Sequence, residues 1–381
     1  MSDWISAEIA RERLGVRAQT LYAYVSRGRV RARADPQDPR RSLYRAADIG
    51  ALAERRTRSR RPADVAAGAV AWGEPVLESA ITTVVEGRLY YRGREAVRLA
   101  ETTTLEAVAR LLRGGHGAAL KRPDRPAPPV GIDVQTRAFV ALAARAAVEP
   151  PALGRNPLRL AAEATALLDV MADAVAGVVT EGPVHQRLAS AWGCDESAGD
   201  LVRRALVLLA DHEFNASTFA ARVAASTGAS LAASALAGLA ALSGPRHGGA
   251  AAALRLLADD AARRGPAAAV SAMLREERVL PGFGHPLYPA GDPRAAALLT
   301  HFQPPKLFTD LARVADAETG QAPNIDFALV ALAQAHGLPH DAPFALFATA
   351  RCAGWIAHAI EQAAEPGIIR PRARYVGPEP E

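Results

Sequence analysis

Two histidines lie in glycine-flanked segments that could bring an imidazole close to a ligand. His247 lies in Gly-Pro-Arg-His-Gly-Gly (residues 244–249), and His285 lies in Gly-Phe-Gly-His-Pro (residues 282–286). The glycines let the backbone turn sharply and approach a bound molecule. An imidazole placed in this way can act as a general acid or base, or donate a hydrogen bond to a carbonyl oxygen. Taken singly, each histidine is more typical of an ordinary loop or core position.

Two further histidines and one carboxylate complete the set of candidates. His212 lies in Asp-His-Glu-Phe-Asn-Ala-Ser-Thr (residues 211–218), and His358 lies in an apolar helical run. Asp326 follows Pro323 and opens an apolar helix that extends through Leu332. The simplest interpretation of Asp326 is a helix N-cap. A carboxylate at a helix start also tends to stay ionised, which is compatible with proton abstraction.

The composition predicts that helices position these residues. The chain has 381 residues, of which 50% are hydrophobic and only 5% aromatic, and alanine is abundant. This favours an all-α fold with a large buried core. We predict helices over residues 104–112, 136–147, 158–179, 200–210 and 216–242, and no strands after the N-terminal segment. No apolar run reaches about 20 residues, so we expect no membrane span.

The cysteines give no sign of a disulfide framework or a metal site. Only Cys194 and Cys352 occur, and they are far apart in the chain. The default expectation is a cytoplasmic protein without a bound metal or redox cofactor. We expect both cysteines, and also His358, to be structural.

Residues 1–62 differ from the rest in charge. They contain fifteen arginines and seven acidic residues, a net charge of +8 in a chain whose total is +5. Helices are predicted from Ser6 to Leu14, from Ala18 to Arg27 and from Ala46 onward, with a hairpin formed by residues 30–33 and 42–45. Two short helices followed by a basic hairpin resemble the winged helix-turn-helix of MerR and excisionase proteins.

That resemblance implies binding to DNA. The recognition helix and the hairpin would contribute a set of candidate contacts: Arg17, Gln19, Thr20, Tyr22 and Arg41. A basic segment on a slightly acidic body also suggests a polyanionic partner. The alternative is a small helical docking domain whose arginines only face solvent, since the motif is short.

The motifs of the remaining chain, taken together and in this order, resemble the citrate synthase family. In addition to the segments around His212, His247 and His285, the family pattern includes several short motifs: Asp-Pro-Arg (292–294), Asn-x-Asp-Phe (324–327), Arg-x-x-Gly-Trp (351–355) and Arg-Pro-Arg-Ala-Arg-Tyr (370–375). The resemblance extends over residues 74–376 and is weakest across residues 114–200. It implies condensation of a short acyl-CoA, usually acetyl-CoA, with oxaloacetate.

The resemblance also implies a role for each residue. Asp326 would remove a proton from the acyl methyl group, His247 would donate a hydrogen bond to the thioester oxygen, and His285 would protonate the oxaloacetate carbonyl oxygen. His212 would bind oxaloacetate. Three arginines would bind its carboxylates: Arg294, Arg351 and Arg370. In the family, the residue that matches Arg370 reaches the site across a homodimer interface.

The family fold implies two helical domains that close over the substrate. We predict a helix-turn-helix domain at residues 1–62, a linker at 63–73, a large helical domain at 74–249 and 338–381, and a small helical domain at 250–337.

The sequence departs from the family where CoA would bind. Bacterial relatives have two basic residues after the histidine that matches His285, and prolines stand at both positions here, Pro286 and Pro289. Two hypotheses therefore stay open. The chain is a working synthase with an accessory N-terminal module, or a DNA-binding regulator whose synthase-like body senses a metabolite. The choice between acetyl-CoA and propionyl-CoA, and between synthesis and citryl-CoA-type cleavage, also stays open.

Overall fold

A computed structural model describes residues 4–14, 16, 20–21, 24–25, 30–35, 38–50, 77–115, 125–365, 367–373 and 375–378, without the side chains of residues 39–41. The chain divides into two compact units. One contains residues 1–78 and 372–381, and the other contains residues 79–371. Each unit is described by itself below.

The N-terminal unit combines one helix with a three-stranded antiparallel sheet. Its elements are β1 (Trp4–Ser6), α1 (Ala7–Leu14), β2 (Ala32–Asp35) and β3 (Asp38–Arg45), with strand order β1-β3-β2. The predicted first helix is confirmed, and so is the hairpin, in which Ala32 lies opposite Tyr44. A small core holds the unit together: Ala10, Leu14, Leu21, Val30, Tyr44 and Ile49.

The predicted DNA-contacting residues are only partly described. Arg17, Gln19 and Tyr22 lie outside the described residues, Thr20 is an exposed helical residue, and Arg41 is described only as backbone of β3. Two arginines of the hairpin region bind within their own unit. Arg31 forms a two-point ion pair with Asp48, and the Arg33 guanidinium lies 4.5 Å from the centre of the Trp4 ring.

The prediction of no strands after residue 62 was wrong. A second antiparallel sheet is formed by β4 (Thr82–Val85), β5 (Arg88–Tyr91) and β6 (Arg94–Glu95). Two-residue turns, Glu86-Gly87 and Arg92-Gly93, connect the strands, and all four residues have positive φ. Such turns match the twist of a hairpin. The sequence contained this signal, because β-branched and aromatic residues flank two X-Gly pairs.

The rest of this unit is helical. The helices are α2 (Ala96–Thr102), α3 (Leu105–Leu112), α4 (Val134–Val148), α5 (Pro157–Ala176), α6 (Val184–Ala191), α7 (Glu196–Leu209), α8 (Ala216–Ser226), α9 (Leu231–Leu242), α10 (Ala250–Arg264), α11 (Pro266–Arg275), α12 (Pro293–Leu299), α13 (Lys306–Thr319), α14 (Ile325–Ala335) and α15 (Ala342–Ala363).

The five predicted helical regions are all helical, but residues 216–242 form two helices rather than one. Gly228 adopts a left-handed conformation with φ +86°, which ends the first helix. Ser230 then caps the second helix, since its side chain accepts a hydrogen bond from the Ala233 amide. Apolar periodicity continues through such a break, so the pattern alone did not reveal it.

Two hydrophobic cores lie within this unit. The larger one is centred on the long helix α15, in which eighteen of 22 residues are buried. The smaller one draws its residues from positions 251–331 and includes Phe283, Phe308 and Phe327. The predicted domain boundaries stay predictions. Among the described residues, no helix is both long enough and apolar enough to span a membrane.

Candidate active site

Six of the seven residues predicted to bind or react with substrate lie on segments that meet at one place. His212 lies between α7 and α8, and His247 lies in the turn before α10. His285 lies in the loop between α11 and α12. The other three are on helices: Arg294 in α12, Asp326 in α14 and Arg351 in α15.

His212 and His285 form the centre of the cluster. Their rings pack edge to face with centroids 5.1 Å apart. The Nε2 atom of His212 lies 2.8 Å from the hydroxyl of Tyr288, and the ring of Tyr288 lies 4.9 Å from that of His285. The backbone amide of Leu287 donates a hydrogen bond to Nδ1 of His285 at 3.2 Å. We therefore assign the proton of the neutral His285 ring to Nε2.

His247 is held by a chain of polar side chains. Its Nε2 atom lies 2.9 Å from Oγ of Ser217 and 3.3 Å from Oδ1 of Asn215. The indole of Trp355 donates a hydrogen bond to the same Ser217 oxygen at 3.1 Å. The turn needs its glycine, because a Cβ on Gly248 would lie 2.6 Å from the carbonyl oxygen of Leu242. These contacts fix the orientation of the imidazole.

The imidazoles of His247, His285 and His212 are neutral at neutral pH, because burial lowers the pKa of each. Burial lowers the pKa of His247 to about 4, and the charge of Arg351 adds to the effect. Burial likewise lowers the pKa of His285 to about 4, with Arg294 lowering it further and Asp292 opposing. Burial also lowers the pKa of His212 well below its ordinary value. Neutral rings can donate one hydrogen bond each without attracting a counter-ion.

The loop of His285 is hydrogen-bonded to the start of helix α14. The side chain of Asn324 donates to the carbonyl of Gly284 at 3.0 Å, and the Gly284 amide donates to the carbonyl of Ala322 at 2.9 Å. Gly284 has φ +66°, a conformation that favours glycine. Asn324 is also the N-cap of the helix, because its Oδ1 accepts hydrogen bonds from the amides of Asp326 and Phe327. The N-cap interpretation of Asp326 was therefore wrong, and its carboxylate is not needed for capping.

Burial raises the pKa of Asp326 to about 6. Arg294 and Arg351 oppose this rise, and Asp292 adds to it. A carboxylate with a pKa near 6 is a stronger base than an ordinary aspartate and is still ionised at neutral pH. The arrangement thus places a proton acceptor in the same cluster as two neutral hydrogen-bond donors.

Two buried arginines supply positive charge. Arg294, 2% exposed, forms a two-point ion pair with Asp292, from Nε at 3.0 Å and from Nη2 at 2.8 Å. Arg351, 1% exposed, donates from Nε to the carbonyl of Leu209 at 3.1 Å, and burial lowers its pKa to about 10. A pair of buried guanidinium groups suits a small ligand with two carboxylates.

The structure does not bring the seventh predicted residue, Arg370, to this cluster. It is exposed in the segment after α15. His358 is also apart from the cluster: it is fully buried, and its Nε2 lies 3.0 Å from Oδ2 of Asp211. Cys352 is buried as well. Within the described residues, no group of three or more His, Cys, Asp or Glu side chains could hold a metal ion.

Sequence reasoning missed the residues that hold the site in place. These are Asp292, Ser217, Tyr288 and Trp355. All four lie inside or beside the motifs quoted above, but their contacts join segments that are distant in the chain. Their position inside or beside a motif was therefore the only signal in the sequence that could have pointed to these four residues.

Comparison with known proteins identifies the family. The family model described as the citrate synthase C-terminal domain matches residues 131–372, more than half of the chain. It leaves out residues 1–62, so it gives no support to the predicted helix-turn-helix or to DNA binding.

Individual relatives agree. Citrate synthase 2 of Bacillus subtilis is 36% identical over 187 residues, which are 46% of this chain and 50% of the relative. 2-Methylcitrate synthase 2 of Corynebacterium glutamicum is 36% identical over 188 residues, 46% of this chain and 49% of the relative. The chain thus spans about half the length of the curated relatives it matches.

A solved structure covers more of the fold. It is the ternary complex of carboxymethyl coenzyme A and oxaloacetate with citrate synthase from Thermoplasma acidophilum. The TM-score is 0.64 at 26% identity, over 81% of this chain and 95% of the other. With the family match over residues 131–372, this similarity leads to one conclusion: the chain belongs to the citrate synthase family.

Proposed function

We propose that the protein condenses a short acyl-CoA with oxaloacetate and then hydrolyses the thioester. The observation that carries this proposal is the meeting of neutral His247, neutral His285 and the raised-pKa Asp326 beside two buried arginines. Enolisation of a thioester requires a base for a weakly acidic C–H proton and a hydrogen-bond donor for the developing enolate oxygen.

The proposed reaction proceeds in three steps. Asp326 removes a proton from the acyl carbon next to the thioester, while His247 donates a hydrogen bond from Nδ1 to the thioester oxygen and accepts one from the Ser217 hydroxyl at Nε2. The carbon of the hydrogen-bonded enolate then attacks the carbonyl carbon of oxaloacetate, and the oxygen that becomes negative takes the Nε2 proton of His285. The proton held by Asp326 returns to His285 through water, which restores both groups. Water finally cleaves the thioester and releases CoA and a tertiary hydroxy acid. The Nε2 proton of His285 follows from the Leu287 amide contact at Nδ1.

Oxaloacetate would be held by charge and hydrogen bonds. Arg294 uses Nε and Nη2 for Asp292, which leaves Nη1 for a ligand carboxylate. Arg351 uses only Nε for the Leu209 carbonyl, which leaves both terminal nitrogens for a second carboxylate. His212 would donate to the ligand from the same side as His285. The solved complex of the Thermoplasma relative contains oxaloacetate by its description, which supports this choice of ligand.

Two acyl groups, acetyl and propionyl, are candidates for the CoA substrate. The relatives include a citrate synthase and a 2-methylcitrate synthase. Acetyl-CoA and propionyl-CoA differ by one methylene, worth roughly 1–3 kcal/mol of discrimination in a hydrophobic pocket. Since Pro286 and Pro289 replace two basic residues, we expect weak binding of the CoA phosphates and a high KM for either donor.

The test is thiol release by purified protein given oxaloacetate and acetyl-CoA, with propionyl-CoA in parallel. Turnover that disappears in Asp326→Ala, while that variant keeps its unfolding temperature, supports the proposal and ranks the two donors. Folded protein that releases no thiol with either donor would overturn it.

We further propose a homodimer in which Arg370 serves the site of the other subunit. Its exposure in the single chain supports this, because a carboxylate-binding arginine of the site would need a covered environment. Asp326→Asn and Arg370→Ala would each be inactive as pure variants. When they are mixed and allowed to exchange subunits, one site in each mixed dimer has both residues, and activity returns. Sites built from a single chain would not regain activity on mixing.

Binding of DNA by residues 1–62 remains a prediction, as does the regulator hypothesis. The net charge of +8 supports DNA binding. The ion pair of Arg31 with Asp48 counts against it, because that arginine of the hairpin region is already paired. Retardation of a promoter fragment with a steep dependence on salt would support it, because phosphate contacts release counter-ions. Absent or salt-insensitive binding would reject it.

A further inference from the structure

Tyr288 lies against three of the predicted substrate-binding groups: His212, His285 and Arg294. Its side chain is 2% exposed and lies on the loop between His285 and helix α12. The hydroxyl lies 2.8 Å from Nε2 of His212, and the ring lies 4.9 Å from the ring of His285. The Arg294 guanidinium lies 5.3 Å from the centre of the same ring. The proposed reaction gives Tyr288 no role.

The backbone holds the tyrosine in place independently of its hydroxyl. The Tyr288 amide donates to the carbonyl of His285 at 2.9 Å, and its carbonyl accepts from the Gly291 amide at 3.0 Å. The position of the ring is therefore set by a tight turn and by packing. A buried hydroxyl in such a place needs a partner, since an unpaired one costs about 1–3 kcal/mol. The partner here is the imidazole of His212.

The protonation states of the two groups allow the phenol to donate this hydrogen bond. Burial raises the pKa of Tyr288 to about 12, so the phenol keeps its proton. Burial and the nearby arginines keep His212 neutral, so one of its nitrogens is a lone-pair acceptor. The ring nitrogen that the hydroxyl contacts is Nε2. A phenol that donates to Nε2 leaves the ring proton of His212 on Nδ1.

We propose that Tyr288 is a positioning residue of the 2-oxo acid site, whose hydroxyl fixes His212 in the tautomer that carries its proton on Nδ1. His212 thereby presents a hydrogen-bond donor to the oxygen atoms of the ligand. The loop from His285 to Tyr288 then sets both imidazoles as donors: the Leu287 amide fixes His285, and the Tyr288 hydroxyl fixes His212. This inference rests on the proposed function for its ligand, but the tautomer itself does not depend on catalysis.

The experiment compares the unsubstituted protein with Tyr288→Phe, which keeps the ring against His285 and Arg294 and removes only the hydroxyl. Tyr90→Phe, a half-buried tyrosine on β5, is the matched control. Histidine labelled with ¹⁵N reports which ring nitrogen carries the proton, and His212→Gln identifies the signal of His212. Steady-state kinetics give the KM for oxaloacetate and for acetyl-CoA. Calorimetry gives the Kd for oxaloacetate.

We expect the unsubstituted protein to show His212 protonated on Nδ1, and Tyr288→Phe to lose that preference. The KM and Kd for oxaloacetate should rise about tenfold in this variant, the effect of one hydrogen bond of about 1.4 kcal/mol. The KM for acetyl-CoA should change less than about twofold, because His212 is proposed to bind only the 2-oxo acid. Loss of a residue with a purely structural role would instead raise both constants. Tyr90→Phe should leave all three constants unchanged.

The outcomes separate this inference from the proposed function. A His212 proton on Nε2 in the unsubstituted protein overturns the inference, whatever the activity. So does an unchanged oxaloacetate constant in a folded Tyr288→Phe. If the unsubstituted protein neither binds oxaloacetate nor turns over, the proposed function fails, and the ¹⁵N signals still decide the tautomer.

Discussion

The carboxylate of Asp292 connects Arg294 to the helix that carries the proposed base. Its Oδ2 atom accepts a hydrogen bond from the backbone amide of Ile325 at 3.0 Å, and both of its oxygens bind the Arg294 guanidinium. Ile325 is the first residue of α14, and Asp326 follows it. One buried carboxylate thus links the arginine proposed to bind substrate to the helix that carries the proposed base.

We predict that Asp292→Asn lowers both stability and activity. The amide keeps one acceptor oxygen but leaves the buried Arg294 without a counter-charge, which costs about 3–5 kcal/mol when one partner of a buried pair is removed. Urea unfolding measures the loss. Asp310→Asn is the control, because its partner Lys306 is largely exposed and the pair contributes little. Equal stability of the two variants would contradict the role of Asp292.

The second prediction concerns pH. Because the pKa of Asp326 is raised to about 6, kcat/KM should increase with pH below about 6 and level off above it. His247 and His285, with pKa values of about 4, should not contribute a second step in that range. A rate profile from pH 4.5 to 8.5 measures this. A rate that stays constant across this range would contradict the raised pKa of Asp326.

A related prediction concerns the contribution of Asp326 to the stability of the folded protein. A carboxyl whose pKa is raised on folding stabilises the folded protein below its ordinary pKa of 3.8, and this contribution is lost as pH rises through about 6. Asp326→Asn should therefore be inactive and yet more stable than the unsubstituted protein at pH 8, by up to about 3 kcal/mol. The difference should vanish near pH 4. Thermal unfolding at the two pH values tests it, and a destabilised variant at pH 8 would refute it.

Gly238→Ala should disturb the site from a distance. A Cβ at this position in α9 would lie 2.6 Å from the Trp355 ring, whose indole N–H binds Ser217 beside His247. We expect a loss of about 1–3 kcal/mol from overpacking, together with reduced activity. Gly199→Ala in α7 is the control, because its Cβ would meet only Ala189 at 3.5 Å, an ordinary contact. Similar effects of the two substitutions on activity would show that Trp355 does not matter.

A final prediction addresses a buried ion cluster away from the site. Arg187 pairs with Asp169 at 2.8 Å and with Asp173, and Arg125 approaches Asp173 at 3.0 Å. Arg187→Met should cost about 3–5 kcal/mol, since it leaves buried carboxylates with too little positive charge. Arg264→Met, which removes an exposed pair with Asp260, should cost less than about 1 kcal/mol in the same denaturation experiment.

The sequence by itself determined the helical character of the body, the family motifs, and the residues of the candidate site. These are local signals. Apolar periodicity predicted the helices because one face of each helix must be buried. Glycines beside His247 and His285 marked sharp turns, and Gly284 does adopt a positive φ. The sequence also contained the signals of the two X-Gly hairpins of residues 82–95, in a chain whose composition otherwise favours helices.

Only the tertiary structure decided which side chains hold the site. The Tyr288 hydroxyl and His212 are 76 residues apart in the chain, and Asp292 and the Ile325 amide are 33 apart. No local pattern encodes such pairs, because each depends on how separate segments pack against one another. The pKa values of Asp326, His247 and His285 likewise depend on burial and on charges supplied by distant helices. The sequence thus indicated the candidate groups, and packing set their protonation and orientation.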